Sequence, residues 1–149
     1  MGQALILSVN ENGDVNEWDI SLSPDIFAQK YFGLYIKTLS IEKQGNTAIM
    51  YFPDGTSMSI IKGKCMDCTF DTNGNKKPNE QGRDQFTFLA CDKSITEWCP
   101  NKGWCTYRKD KDLQTRDKAI INCKTDPRYC SYLLELDSWE FKKDYPYRL

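Results

Sequence analysis

The stretch from Asp71 to Phe86 constrains this chain more than any other part of it. Asp71, Asn73 and Asn75 can each bond their own downstream backbone, and Gly74 and Gly82 supply positive φ at little steric cost. Pro78 fixes its own φ and pushes Lys77 toward extended geometry. Turn chemistry this dense describes a shaped loop. Immediately after it Phe86, Phe88 and Ala90 alternate with Thr87 and Leu89, which reads as a strand with one face inward. The loop therefore hands the chain to a core strand.

Two further runs, Thr47 to Phe52 and Thr56 to Ile61, are rich in β-formers and joined by Pro53, Asp54 and Gly55, a hairpin signature. Upstream, Ser23, Pro24 and Asp25 form a helix start, with a hydroxyl at the cap, proline at the first position and an acid in the first turn. Phe27, Tyr31, Leu34, Tyr35 and Leu39 follow at helical spacing and predict one apolar face over three turns. Ala4 to Val9 is apolar but too short to span a bilayer, and is expected as an anchoring strand or coil before a turn cluster at Asn10 to Asp14. From Asp92 to Arg128 periodicity is lost, and long loops there need fastening. Tyr129 to Leu136 fits a short helix with Tyr132, Leu133 and Leu136 inward, after which Trp139 and Phe141 are expected to close the core. The resulting fold class is α+β. It comprises one domain over residues 1–149, with an N-terminal helix on an antiparallel sheet of three or more strands and long disulfide-fastened C-terminal loops.

The chain contains no histidine, which removes Ser-His-Asp and Cys-His nucleophile pairs, imidazole metal ligands and the usual near-neutral proton shuttle. No spacing singles out a carboxylate pair, so no catalytic residue is assigned. A net charge of −1 gives no reason to expect nucleic acid as a partner. The cysteines are Cys65, Cys68, Cys91, Cys99, Cys105, Cys123 and Cys130. Cys65-x-x-Cys68 is compatible with redox chemistry or half a zinc site, but no second close pair follows it and Cys65 comes after a hairpin. Disulfides formed in an oxidising compartment fit better, with Cys99–Cys105 and Cys123–Cys130 as local bridges and at least one cysteine left over.

The run Asp71-x-Asn73-Gly74, Pro78-Asn79, Gly82-x-Asp84-x-Phe86 and its strand resembles the C-terminal half of type IV pilin-like proteins and type II secretion pseudopilins. The tail, Cys130 through Asp137-Ser138-Trp139 to Asp144-Tyr145-Pro146, is similar to the Cys…Asp-Gly-Trp…Asp-Tyr-Pro ending of some of those subunits. Together these matches cover about a third of the chain, and the family's long apolar N-terminal helix is absent from it. The resemblance implies the head domain of an extracytoplasmic filament or pseudopilus subunit. Its partners would be other pilin or pseudopilin subunits, and its membrane anchor before assembly would be a helix missing here. A secreted, disulfide-held module recognising a glycan or a protein through its loops is the alternative.

Some pseudopilins bind calcium near this loop, and Asp71, Asn73, Asn75 and Asp84 are the oxygen donors that could hold it here. The opening is similar to an EF-hand. However, Lys76 stands where that loop needs glycine and Gly82 where it needs glutamate, and Lys76, Lys77 and Arg83 reduce the local negative charge.

Overall fold

A computed structural model of the chain describes residues 2–63, 65–74, 76–77, 79–92, 104–107 and 115–147. Six strands form one antiparallel sheet in sequence order: β1 (Ser40–Gln44), β2 (Thr47–Tyr51), β3 (Ser57–Ile61), β4 (Cys65–Asp71), β5 (Gln85–Cys91) and β6 (Trp104–Thr106). Every neighbour in this meander is also the next strand in the chain. The hairpin read from the sequence is β2–β3, with Ala48 opposite Ile60 and Met50 opposite Met58. At its turn Gly55 takes φ 89° and donates to the Phe52 carbonyl at 3.1 Å.

Register places Ala48, Met50, Met58, Ile60, Cys68, Met66, Phe70, Phe86, Phe88 and Ala90 on one face. The short helices cover this face: α1 (Gly2–Asn12), α2 (Pro24–Ala28), α3 (Arg116–Thr125) and α4 (Cys130–Leu136). Over β1 to β4 the apolar cluster joins Trp18, Phe27, Ala28, Tyr31 and Phe32 to the strand side chains. Trp18 is its hub, stacked on Tyr31 at 4.3 Å and edge-on to Phe27 and Phe32 at 6.0 and 5.7 Å. Its indole nitrogen donates to the Gly13 carbonyl at 2.9 Å, which satisfies the one polar group the ring buries. Over β5 and β6 a second cluster joins Phe86 to Ala119, Cys123, Cys130, Leu133, Leu134 and Tyr145.

The N-terminal segment is a helix rather than the expected strand or coil. Asn10 to Asn12 form its last turn, and Gly13 stops it at φ 80°, donating back to Val9 at 2.9 Å. Asn12 and Glu11 then hold the Tyr35 hydroxyl at 3.1 and 2.7 Å. The helix starting at Pro24 buries Phe27, Ala28, Tyr31 and Phe32, but it converts to a π-helical turn over Gln29–Gly33 and ends there. The wider turn breaks the 3.6-residue phase, so Leu34 and Leu39, expected inside, are 67% and 69% exposed.

The C-terminal region departs further. Where an aperiodic loop was expected, α3 starts on a Thr115 side chain that accepts from the Lys118 amide at 3.3 Å. Only Ala119 and Cys123 of α3 are fully buried, a stripe too narrow to show as periodicity. The tail helix is present, but Leu133 and Leu134 point inward while Leu136 is 40% exposed. Trp139 and Phe141 do not close the core. They rest half-exposed against Phe88 and Phe86, at 5.9 and 6.3 Å between ring centres.

Candidate functional site

The loop between β4 and β5 is built around two carboxylates. Asp84, 1% exposed, accepts the Glu80 amide through Oδ1 and the Asn79 amide through Oδ2, both at 2.8 Å. Its own carbonyl accepts the Thr72 amide at 2.8 Å, which ties the two ends of the loop. Asp71 accepts the Asn73 amide at 3.0 Å and the Gln85 side-chain amide at 3.1 Å. Burial raises the Asp71 carboxyl above its ordinary pKa, the Asn73 and Gln85 hydrogen bonds oppose this, and the charge of Asp84 adds to the rise. Asn79 takes φ 55°, and Gly74, at φ 70°, lies so close to the β2–β3 turn that a Cβ would sit 2.9 Å from the Gly55 carbonyl oxygen.

Of the four residues singled out as calcium donors, three lie within the description and Asn75 lies outside it. Asp71 and Asp84 share the loop, but all four of their oxygens face N–H donors of the chain itself. Asn73 Oδ1 is buried without a hydrogen-bond partner. Among the described residues no group of three acidic or cysteine side chains is placed to hold a metal. In this arrangement the Asp71 and Asp84 carboxylates accept from the loop's own N–H groups.

The tail docks on that loop. The Tyr145 hydroxyl, buried, donates to the Gly82 carbonyl, and the Tyr147 hydroxyl donates to the Lys124 carbonyl at 3.2 Å. Gly82 takes φ 84°, and a Cβ there would meet Tyr147 at 3.1 Å, Cys130 Sγ at 3.4 Å and Pro127 at 3.5 Å. A glycine is required both by conformation and by space. Arg116 fastens the same tail from α3. It is bidentate to Asp137 at 2.7 and 3.0 Å and to Asp144 at 2.7 and 2.6 Å. These bonds hold the Asp144 carboxyl below its ordinary pKa. Tyr145 was quoted from sequence only as part of the tail ending, and Arg116 not at all, since a lone arginine gives no spacing signal.

Among the described residues two disulfides join described partners, one on each face of the sheet. Cys123–Cys130 is formed as expected, joining α3 to α4. The second, Cys65–Cys91, joins directly opposed residues of β4 and β5 on the sheet face away from the helices. The Cys65-x-x-Cys68 spacing is therefore not a redox or zinc pair, because i and i+3 on a strand point to opposite faces. Among the described residues Cys68 is the free cysteine, buried, with its thiol pushed well up by burial and therefore inert. The expected Cys99–Cys105 bridge lies outside the described residues through Cys99, and Cys105 is itself disulfide-bonded.

A six-stranded antiparallel meander with short helices packed on it is an α+β architecture, in which the loop, the tail and a cross-linked helix pair are tied together. Over residues 1–149 the chain belongs to a family of unknown function, DUF6613. No curated protein and no solved structure matches it. Among the described residues, no helix is long and apolar enough to cross a membrane.

Proposed function

We propose that this chain is the globular head of an extracytoplasmic structural subunit, of the type IV pilin or type II secretion pseudopilin kind, and that it is not an enzyme. One observation carries the reading. The two stretches that resemble such subunits, the Asp71–Phe86 loop and the Cys130–Pro146 tail, lie far apart in sequence and meet in space through Tyr145, Gly82 and Cys130. Residues that resemble one family at two separate places, and also depend on each other for packing, support a shared architecture more than either motif alone. The disulfides support an oxidising compartment. The cluster of loop carboxylates, tyrosine hydroxyls and one arginine is spent on internal ties, which suits a part whose task is to keep its shape. The test is to shear surface filaments from the source cells and probe the fraction with antibody to this domain. Recovery in the filament fraction is the expected result. Recovery only as free protein in the medium or cytosol would overturn the reading.

A further inference from the structure

Three places in the chain put an aspartate or asparagine directly before a glycine: Asn12–Gly13, Asp54–Gly55 and Asn73–Gly74. At such a pair no side chain on the second residue shields its amide nitrogen from the side-chain carbonyl carbon of the first. The nitrogen can then close a succinimide ring on that carbon, unless other bonds hold the two groups.

At Asn12–Gly13 both groups are held. The Gly13 amide donates to the Val9 carbonyl at 2.9 Å, and Asn12 Nδ2 donates to Ser8 Oγ at 3.2 Å and to the Tyr35 hydroxyl at 3.1 Å. At Asp54–Gly55 the Gly55 amide donates to the Phe52 carbonyl at 3.1 Å, and Asp54 accepts from the Thr56 amide and hydroxyl at 3.0 and 2.6 Å. Those bonds hold the Asp54 carboxyl below its ordinary pKa, and an ionised carboxylate is a poor target for a nucleophile. The Asn73–Gly74 pair differs on each count. Among the described residues no hydrogen bond engages the Gly74 amide. Asn73 Nδ2 has only the Lys77 carbonyl, at 3.5 Å, beyond the usual range of such bonds. Asn73 Oδ1 is buried without a partner, so the fold loses no hydrogen bond there when the side chain turns.

We propose that Asn73–Gly74 is a self-modification site, at which the folded protein converts Asn73 to a mixture of isoaspartate and aspartate. The Gly74 amide gives its proton to solvent and its nitrogen attacks Asn73 Cγ. The new N–Cγ bond forms, the Cγ–Nδ2 bond breaks, and Nδ2 takes a proton from solvent and leaves as ammonia. Water then adds to one of the two ring carbonyls and breaks its bond to the nitrogen. Opening at Cγ gives aspartate, and opening at the main-chain carbonyl gives isoaspartate. One water is consumed and one ammonia released, with no oxidant, reductant or second protein. Isoaspartate carries the main chain through the side chain and so lengthens it beside Gly74, where even a Cβ would lie 2.9 Å from the Gly55 carbonyl oxygen. Either product adds a negative charge next to Asp71, which accepts from the Asn73 amide. The contact of this loop with the β2–β3 turn therefore loosens as the molecule ages. In a long-lived extracytoplasmic subunit this is a one-way mark of age, and the chemistry holds whatever the chain's role.

The experiment is incubation of the purified, oxidised full chain at mildly alkaline pH, followed by peptide mapping by mass spectrometry and labelling with an isoaspartate-specific methyltransferase. The same incubation in guanidinium chloride gives the rate of each site without the fold. Each hydrogen bond that must break first slows ring closure by about tenfold. In the fold Asn73 is expected to convert within about tenfold of its unfolded rate, and Asn12 at least about tenfold more slowly than Asn73. Asn73→Gln is expected to abolish the methyl label from the folded chain, because its longer side chain closes a larger ring slowly. Retention of the Asn73 amide in the fold while the unfolded chain loses it, or equal conversion of Asn12 and Asn73 in the fold, would overturn the proposal.

Discussion

The two ends of the sheet are stabilised in different ways. Over β1 to β4 the ties are mainly apolar: Phe27, Tyr31 and Phe32 pack around Trp18, whose indole donates to the Gly13 carbonyl, and the Tyr31 hydroxyl accepts from the Asp19 amide. Over β5 and β6 the apolar cluster is smaller. A disulfide, a doubly bidentate arginine and a buried tyrosine hydroxyl make up the difference. A region of short helices and loops cannot bury enough surface to order itself, and covalent and ionic ties substitute for area. The first region should therefore be the more sensitive to cavities, and the second, with the β4–β5 seam that Cys65–Cys91 bridges, the more sensitive to reductant.

The largest expected effect is from Phe32→Ala, which removes a fully buried ring. A loss of about 3–5 kcal/mol is expected in urea unfolding, with no change in reductant sensitivity. Replacing Cys123 and Cys130 by serine is expected to cost roughly 2–3 kcal/mol. Hydrogen exchange should show the loss of protection over residues 115–147, with β2 and β3 unaffected; uniform loss would erase the contrast between the regions. Asp84→Ala removes the buried carboxylate to which the Asn79 and Glu80 amides donate, at about 1.5–3 kcal/mol. In the same experiment a chelator should leave the wild-type melting temperature unchanged. A rise of several degrees on adding millimolar calcium would instead mark the Asp71–Asp84 loop as a metal site.

Acid should loosen the tail end first. The Asp144 carboxyl has a lowered pKa in the fold, so its contribution is present above the unfolded value and lost as pH falls through the folded one. Asp71 has the opposite sign. Its pKa is raised in the fold, so its ionised form opposes folding, and protonation relieves that opposition as pH falls. Asp144→Asn should therefore remove part of the acid-induced change in Trp139 fluorescence, while Asp71→Asn should leave that change in place. If Asp144→Asn left the acid transition unaltered, the Arg116 clamp would not be what holds the tail.

The same contrast explains what could be read in the sequence. The β2–β3 hairpin was legible because Pro53, Asp54 and Gly55 are local turn chemistry and Ala48, Met50, Met58 and Ile60 alternate cleanly. The start of α2 was legible from Ser23 and Pro24, but its end was not, because nothing in the spacing announces the π-helical turn that puts Leu34 outside. Strand β4 alternates Met66, Cys68 and Phe70 with Asp67 and Thr69, a pattern obscured by the Cys-x-x-Cys spacing laid over it. Strand β1 is a charged, exposed edge with no apolar period to find. In α3 the Thr115 cap was in plain view, yet two buried residues do not make a face. For the loop, sequence names the oxygens of Asp71, Asn73 and Asp84 but not their direction. In the fold the two carboxylates turn to the loop's own amides, a direction no residue pattern encodes.

The smallest expected effect tests the turn at the end of α4. Ser138, in the turn that follows α4, takes φ 57°. The left-handed region costs an L-residue roughly 1–2 kcal/mol, and glycine returns about 0.5–1 kcal/mol of that through its freer unfolded chain. Ser138→Gly is therefore expected to stabilise the protein by about 0.5–1 kcal/mol, a rise of roughly 2–4 °C at most in melting temperature. The Ser138 side chain is exposed, so little contact is lost with it. Ser138→Ala is the control, since it removes the hydroxyl and keeps the Cβ that creates the strain, and it should give no gain. Equal melting temperatures for the glycine and alanine variants would show that the turn is not left-handed at this position.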